Sequence, residues 1–94
     1  MSEVELSVGV VEYGDTGGEG PATVMVHGLA MDGRQWRKVI AELPGHRCLT
    51  PVLPLGAHRV PMRSDADLSL RGLGRLVAEF LEALDLRDAT LCFN

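Results

Sequence analysis

Thr23-Val24-Met25-Val26-His27-Gly28-Leu29-Ala30-Met31-Asp32-Gly33-Arg34-Gln35-Trp36 is the stretch whose reading decides the fold. Thr23 to Val26 are apolar or β-branched without alternation, the pattern of a short strand covered on both faces. Gly28 permits a sharp turn or a close backbone approach that a β-carbon would obstruct. Asp32 is a good helix N-cap, and Gln35 three residues later is placed to complete a capping box. Trp36, Val39, Ile40 and Leu43 then recur at i, i+3, i+4 and i+7, one apolar face of a helix. A buried strand is therefore expected to stop at a His-Gly turn and pass quickly into a helix. Free backbone N–H groups just past the carboxyl end of such a strand suit the binding of an oxyanion.

Outward from this stretch, the chain is punctuated at regular intervals. Val4-Glu5-Leu6 and Val10-Val11-Glu12-Tyr13, joined through Ser7-Val8-Gly9, predict an antiparallel hairpin at a sheet edge. Asp15 to Pro21 is a loop by composition; its glycines lack the Gly-Lys-Ser/Thr of a phosphate loop, so a plain connector is expected. Beyond Pro44-Gly45, Arg47 to Leu53 predicts another strand, with Pro51 placing its useful end near Thr50. Pro54 to Asp67 is a polar loop long enough to suggest a functional segment. Ser69 or Asp67 is then positioned to cap a helix over Leu70 to Leu84, whose apolar face is Leu73, Leu76, Val77, Phe80, Leu81 and Leu84. Ala89 to Phe93 predicts a final strand of buried type. The fold class is α/β: an N-terminal hairpin followed by parallel β-α-β-α-β in one domain over residues 1–94.

Strand, His27-Gly28-Leu29 turn and Trp36-bearing helix together resemble the oxyanion loop of the α/β-hydrolase fold. The remaining elements follow that family's order through its first five strands, about the first third of a complete hydrolase. The resemblance implies the sheet order 1-2-4-3-5 with helices on both faces. It also implies an oxyanion loop of His27, Gly28 and Leu29, in which Leu29 supplies a backbone N–H and His27 steadies the turn. The family's nucleophile, Ser or Asp, sits on a strained turn after the fifth strand. Here Leu91-Cys92-Phe93-Asn94 closes that strand, so the nucleophile, the acid and the triad histidine are expected beyond Asn94, and no catalytic residue is assigned. One departure is that Val52-Leu53-Pro54-Leu55-Gly56-Ala57-His58-Arg59 stands where many members carry Asp followed by Pro and Gly-rich turns. In a complete protein the expected activity is hydrolysis of an ester, amide, epoxide or carbon–halogen bond through a covalent intermediate. The alternatives are a non-catalytic truncated fragment, or one half of a split protein completed by another chain.

Other functions are disfavoured. With 46% apolar and 23% charged residues the composition is that of a globular protein, and a net charge of −4 disfavours a nucleic-acid surface. Arg34, Arg37 and Lys38 fit a solvated helix flank. No apolar run approaches the roughly 18 residues of a membrane span, and no secretory signal is visible, so a cytoplasmic location is expected. Cys48 and Cys92 match no zinc spacing with His27, His46 or His58, and they fit small buried hydrophobes. Asp65 and Asp67 fit capping better than metal binding, and His58 lacks a partner acid and nucleophile. No cofactor or metal is implied. The expected partner is a small-molecule substrate if the fold is completed, with self-association through the strand ending at Phe93.

Overall fold

A computed structural model describes residues 2–28, 31–54 and 61–94. Five strands form one mixed sheet: β1 (Ser2–Leu6), β2 (Gly9–Asp15), β3 (Ala22–Val26), β4 (Arg47–Pro51) and β5 (Thr90–Phe93). Their order is β1-β2-β4-β3-β5. β1 and β2 form the antiparallel hairpin read from sequence, with Val4 opposite Val11 and Leu6 opposite Gly9. β2 runs antiparallel to β4, whereas β3 is parallel to both β4 and β5. The order is the one implied by the resemblance.

Because successive side chains of a strand alternate between faces, the register assigns each residue a side. Val24 and Val26 of β3 and Leu49 of β4 share one face, where they form a core with Leu6, Val11 and Leu53. Helix α2 (Leu70–Ala83) closes this face with Leu76, Val77 and Phe80, flanked by Leu73, Leu81 and Leu84, the apolar stripe that the sequence spacing predicts. Phe80 packs edge-on against Tyr13 at a centroid separation of 5.3 Å. The helix starts at Ser69, whose hydroxyl accepts from the Gly72 N–H, while Asp67 Oδ1 accepts from the Ser69 N–H. It ends in a Schellman arrangement. The Leu86 N–H reaches the Leu81 carbonyl, the Asp85 N–H reaches that of Glu82, and Asp85 takes the left-handed conformation at φ 51°.

The opposite face carries Thr23, Met25, Cys48 and Thr50, all buried. Lying against β3 and β4 is a 3-10 turn, Gly33–Trp36, which runs into the short helix α1 (Arg37–Ala41). Here the sequence reading needs correction. Asp32 does cap the turn, accepting from the Arg34 N–H, but the expected capping box is not formed. Gln35 spends its side-chain oxygen elsewhere. The helix is also shorter than its periodicity suggests: no residue of α1 is fully buried, and Val39 is 44% exposed.

β4 ends at Pro51, next to the useful end near Thr50 that the proline predicts, and the Val52 N–H still reaches the Glu12 carbonyl at 2.8 Å. One further expectation shifts. β5 is not buried: among the described residues it pairs along one side only, and Leu91 (40%) and Phe93 (63%) remain exposed on the face that α2 covers elsewhere. The loop after β2 is a connector. Thr16 laces it to β4 through both its backbone N–H and its hydroxyl, Asp15 and Arg47 form a two-point ion pair, and the Gly17 N–H is taken by Asp15.

Candidate active-site loop at the carboxyl end of β3

In parallel α/β sheets, ligands bind outside the carboxyl ends of strands where successive crossovers diverge. The chain passes from β3 to its neighbour β4 by way of the 3-10 turn and α1, then returns by way of α2 past β3 to β5. The two connections leave in opposite directions, so the divergence point lies between β3 and β5. His27 and Gly28 follow β3 there, and Asn94 follows β5.

His27 is 2% exposed and hydrogen-bonded through both ring nitrogens. The Leu53 N–H donates to Nε2 at 2.8 Å. A backbone N–H can only donate, so Nε2 must be unprotonated and the proton sits on Nδ1. Nδ1 then donates to the Gly28 carbonyl at 2.9 Å. The neutral ring thus ties the end of β3 to the segment leaving β4. With both nitrogens engaged it has no free position for a catalytic proton.

Gly28 is saturated in the same way. Its carbonyl accepts from His27 and also from the Met31 N–H at 3.1 Å. Its N–H donates to Gln35 Oε1 at 2.9 Å. The turn lies close to the end of β5: a β-carbon at Gly28 would stand 3.4 Å from the Asn94 Nδ2, a snug contact with the end of that side chain. Asn94 is held in turn by its N–H to the Val26 carbonyl at 3.3 Å. Behind the turn, Arg34 hydrogen-bonds to Asp32 and holds that carboxyl below its ordinary range.

His27 and Gly28 form the turn after β3, while Leu29 and His58 lie outside the described residues. Gln35 is the participant that sequence reasoning misassigned. Its spacing from Asp32 fits a capping box, and nothing in the residue pattern distinguishes that from a reach back to Gly28. The other candidates disperse. Asp67 accepts from the N–H of Ser69, the cap of α2, which lowers its carboxyl, and Asp65 is exposed. Cys48 and Cys92 are free thiols on the strands flanking β3, and burial pushes the Cys48 thiol up. Among the described residues no group of His, Cys, Asp and Glu side chains could hold a metal ion. No helix of the described residues is long and apolar enough to cross a membrane. The Trp36 indole N–H is buried without a partner among the described residues.

No family model matches the chain. A haloalkane dehalogenase of Mesorhizobium japonicum is 29% identical over 92 residues, spanning 96% of this chain and 29% of the relative. The solved structure of the N-acyl homoserine lactonase AidH, complexed with N-butanoyl homoserine, superposes with a TM-score of 0.81. It is 26% identical over 96% of this chain and 34% of its own. The chain has the fold of the N-terminal part of an α/β-hydrolase. The haloalkane dehalogenase DatA of Agrobacterium tumefaciens agrees, with a TM-score of 0.80 and 25% identity over 99% of this chain and 31% of its own. The chain thus spans about a third of the length of the hydrolases it matches. Within the α/β-hydrolase fold, the His27–Gly28 turn follows β3 and Asn94 follows β5.

Proposed function

We propose that these residues supply the oxyanion loop of an α/β-hydrolase that cleaves an ester, lactone, amide, epoxide or carbon–halogen bond through a covalent intermediate. The observation that carries this reading is the closeness of Gly28 to Asn94 at the divergence point of the sheet. A side chain placed just after β5 would stand beside the turn after β3, where a nucleophile and a backbone N–H donor must meet. The Gly28 carbonyl accepts from two donors. The Leu29 N–H is the donor we assign to the developing oxyanion. Two kinds of relative, a lactonase and haloalkane dehalogenases, support the span of bond types.

The reading is tested in two steps. The 94-residue chain, repurified, should release no nitrophenol from p-nitrophenyl butyrate above a buffer control. A polypeptide extended from Asn94 through Ser or Asp and then x-Gly should turn over, and Ala at that Ser or Asp should abolish it. Turnover by the 94-residue chain in proportion to its concentration would overturn the assignment. So would a coding sequence with no such residue after Asn94 in any frame.

A further inference from the structure

We infer that Gln35 is the positioning residue of the His27–Gly28 turn, and that it withdraws the Gly28 N–H from the donors this loop presents to a ligand. The inference rests on reading the turn as an oxyanion loop, and it narrows which donors that loop can offer. The bond from the Gly28 N–H to Gln35 Oε1 spans seven residues and joins the turn to the 3-10 segment packed on the sheet. That segment has its own anchor, because Asp32 caps it by accepting from the Arg34 N–H. Gln35 therefore reaches back from a fixed platform. With the Gly28 carbonyl already taken by His27 and Met31, every polar group of Gly28 is satisfied within the protein.

The side-chain type suits that task. An amide oxygen accepts one backbone N–H without adding charge, whereas a carboxylate at this distance would oppose negative charge developing on a substrate oxygen. A leucine or methionine would fill similar space and leave the Gly28 N–H unpaired. Gly28 also lies close to Asn94, so a shift of the turn would be felt at the end of β5. Gln35 touches neither substrate nor reacting atoms, and its effect passes through Gly28.

Amide hydrogen exchange of the 94-residue chain, followed by NMR, tests this without any turnover. The Gly28 amide should be protected, and Gln35→Leu should speed its exchange roughly tenfold, the scale of one hydrogen bond. The Val24 and Leu53 amides should keep their rates. Gln35→Glu retains an acceptor and should restore the protection. Equal Gly28 exchange in wild type and Gln35→Leu would overturn the inference. So would acceleration of all three amides together, or a chain in which none is protected, since a bond that does not form positions nothing. If instead the extended polypeptide proves inactive while the Gly28 result holds, the oxyanion reading fails and the positioning contact stands.

Discussion

Replacing His27 by Ala perturbs the turn at its most buried point. The ring is 2% exposed and Leu53 1% exposed, so the Leu53 N–H that loses its acceptor has no water to replace it. An orphaned buried donor costs about 1–3 kcal/mol. The Gly28 carbonyl loses one of its two donors, worth about 0.5–1.5 kcal/mol, and keeps the Met31 N–H. The space left by the imidazole adds a cavity penalty, so the sum falls at roughly 2–5 kcal/mol. For a domain of this size about 1 kcal/mol moves Tm by roughly 4–8 °C. His27→Ala should therefore lower Tm by about 10 °C or more in a calorimetric or circular-dichroism melt. His27→Gln can place its Oε1 where Nε2 now accepts, and should recover at least half of that loss. Leu53 amide exchange should rise in the Ala variant and not in the Gln variant. If the two variants melt together, or the Ala variant melts within about 2 °C of wild type, the bridging role assigned to the ring is wrong.

Other outcomes follow from single contacts. Asp85→Gly should raise stability by up to about 1 kcal/mol, because the residue at φ 51° no longer carries a β-carbon, and its exposed pairing with Arg87 loses little; an unchanged or lower Tm would contradict it. Arg47→Ala should cost about 0.5–1 kcal/mol at neutral pH. Hydrogen bonding from Arg47 holds the Asp15 carboxyl below its ordinary value. That contribution is present above the ordinary carboxylate range and is lost as pH falls through the lowered native value. The two proteins should therefore converge in Tm only in strong acid, and a gap independent of pH would refute the ion pair. Phe93 and Leu91 leave apolar surface beside an unpaired strand edge. Concentration-dependent association in sedimentation, weakened by Phe93→Lys, is expected, and identical profiles for both proteins would remove that edge as the contact.

The elements that were legible in the sequence are those in which one periodicity had no rival. Leu76, Val77 and Phe80 recur at helical spacing over fourteen residues, and α2 presents them to the sheet as expected. Thr23 to Val26 lack alternation because the sheet is covered on both sides of β3. The short helix was overestimated because Trp36, Val39, Ile40 and Leu43 give a helical period over only two turns. A 3-10 start followed by a five-residue helix satisfies the same spacing with little burial. β5 reads as a buried strand because Leu91, Cys92 and Phe93 report apolarity and not cover. Strand pairing on one side alone leaves them half in water.

The candidate site was legible only as a position. His27 and Gly28 mark the turn, but what holds it comes from Leu53 and Gln35, one on the segment after β4 and the other on the 3-10 turn. Neither residue type announces the role: Leu53 acts through its backbone N–H, which every residue but proline has, and Gln35 doubles as a credible capping residue. The rigidity of the turn is nonetheless a consequence of this division. A donor aimed at developing charge is effective when it is oriented before the charge appears. Four hydrogen bonds fix the two residues before Leu29, and they draw on three separate parts of the chain. Removing any one partner leaves the others to hold the turn, so single substitutions at Gln35 or His27 should loosen it by degrees. Substituting both should cost more than the sum of the two, because Gly28 would then keep only the Met31 N–H. Separate Tm measurements on the two single variants and the double variant decide this, and strict additivity would mean that the two contacts hold the turn independently.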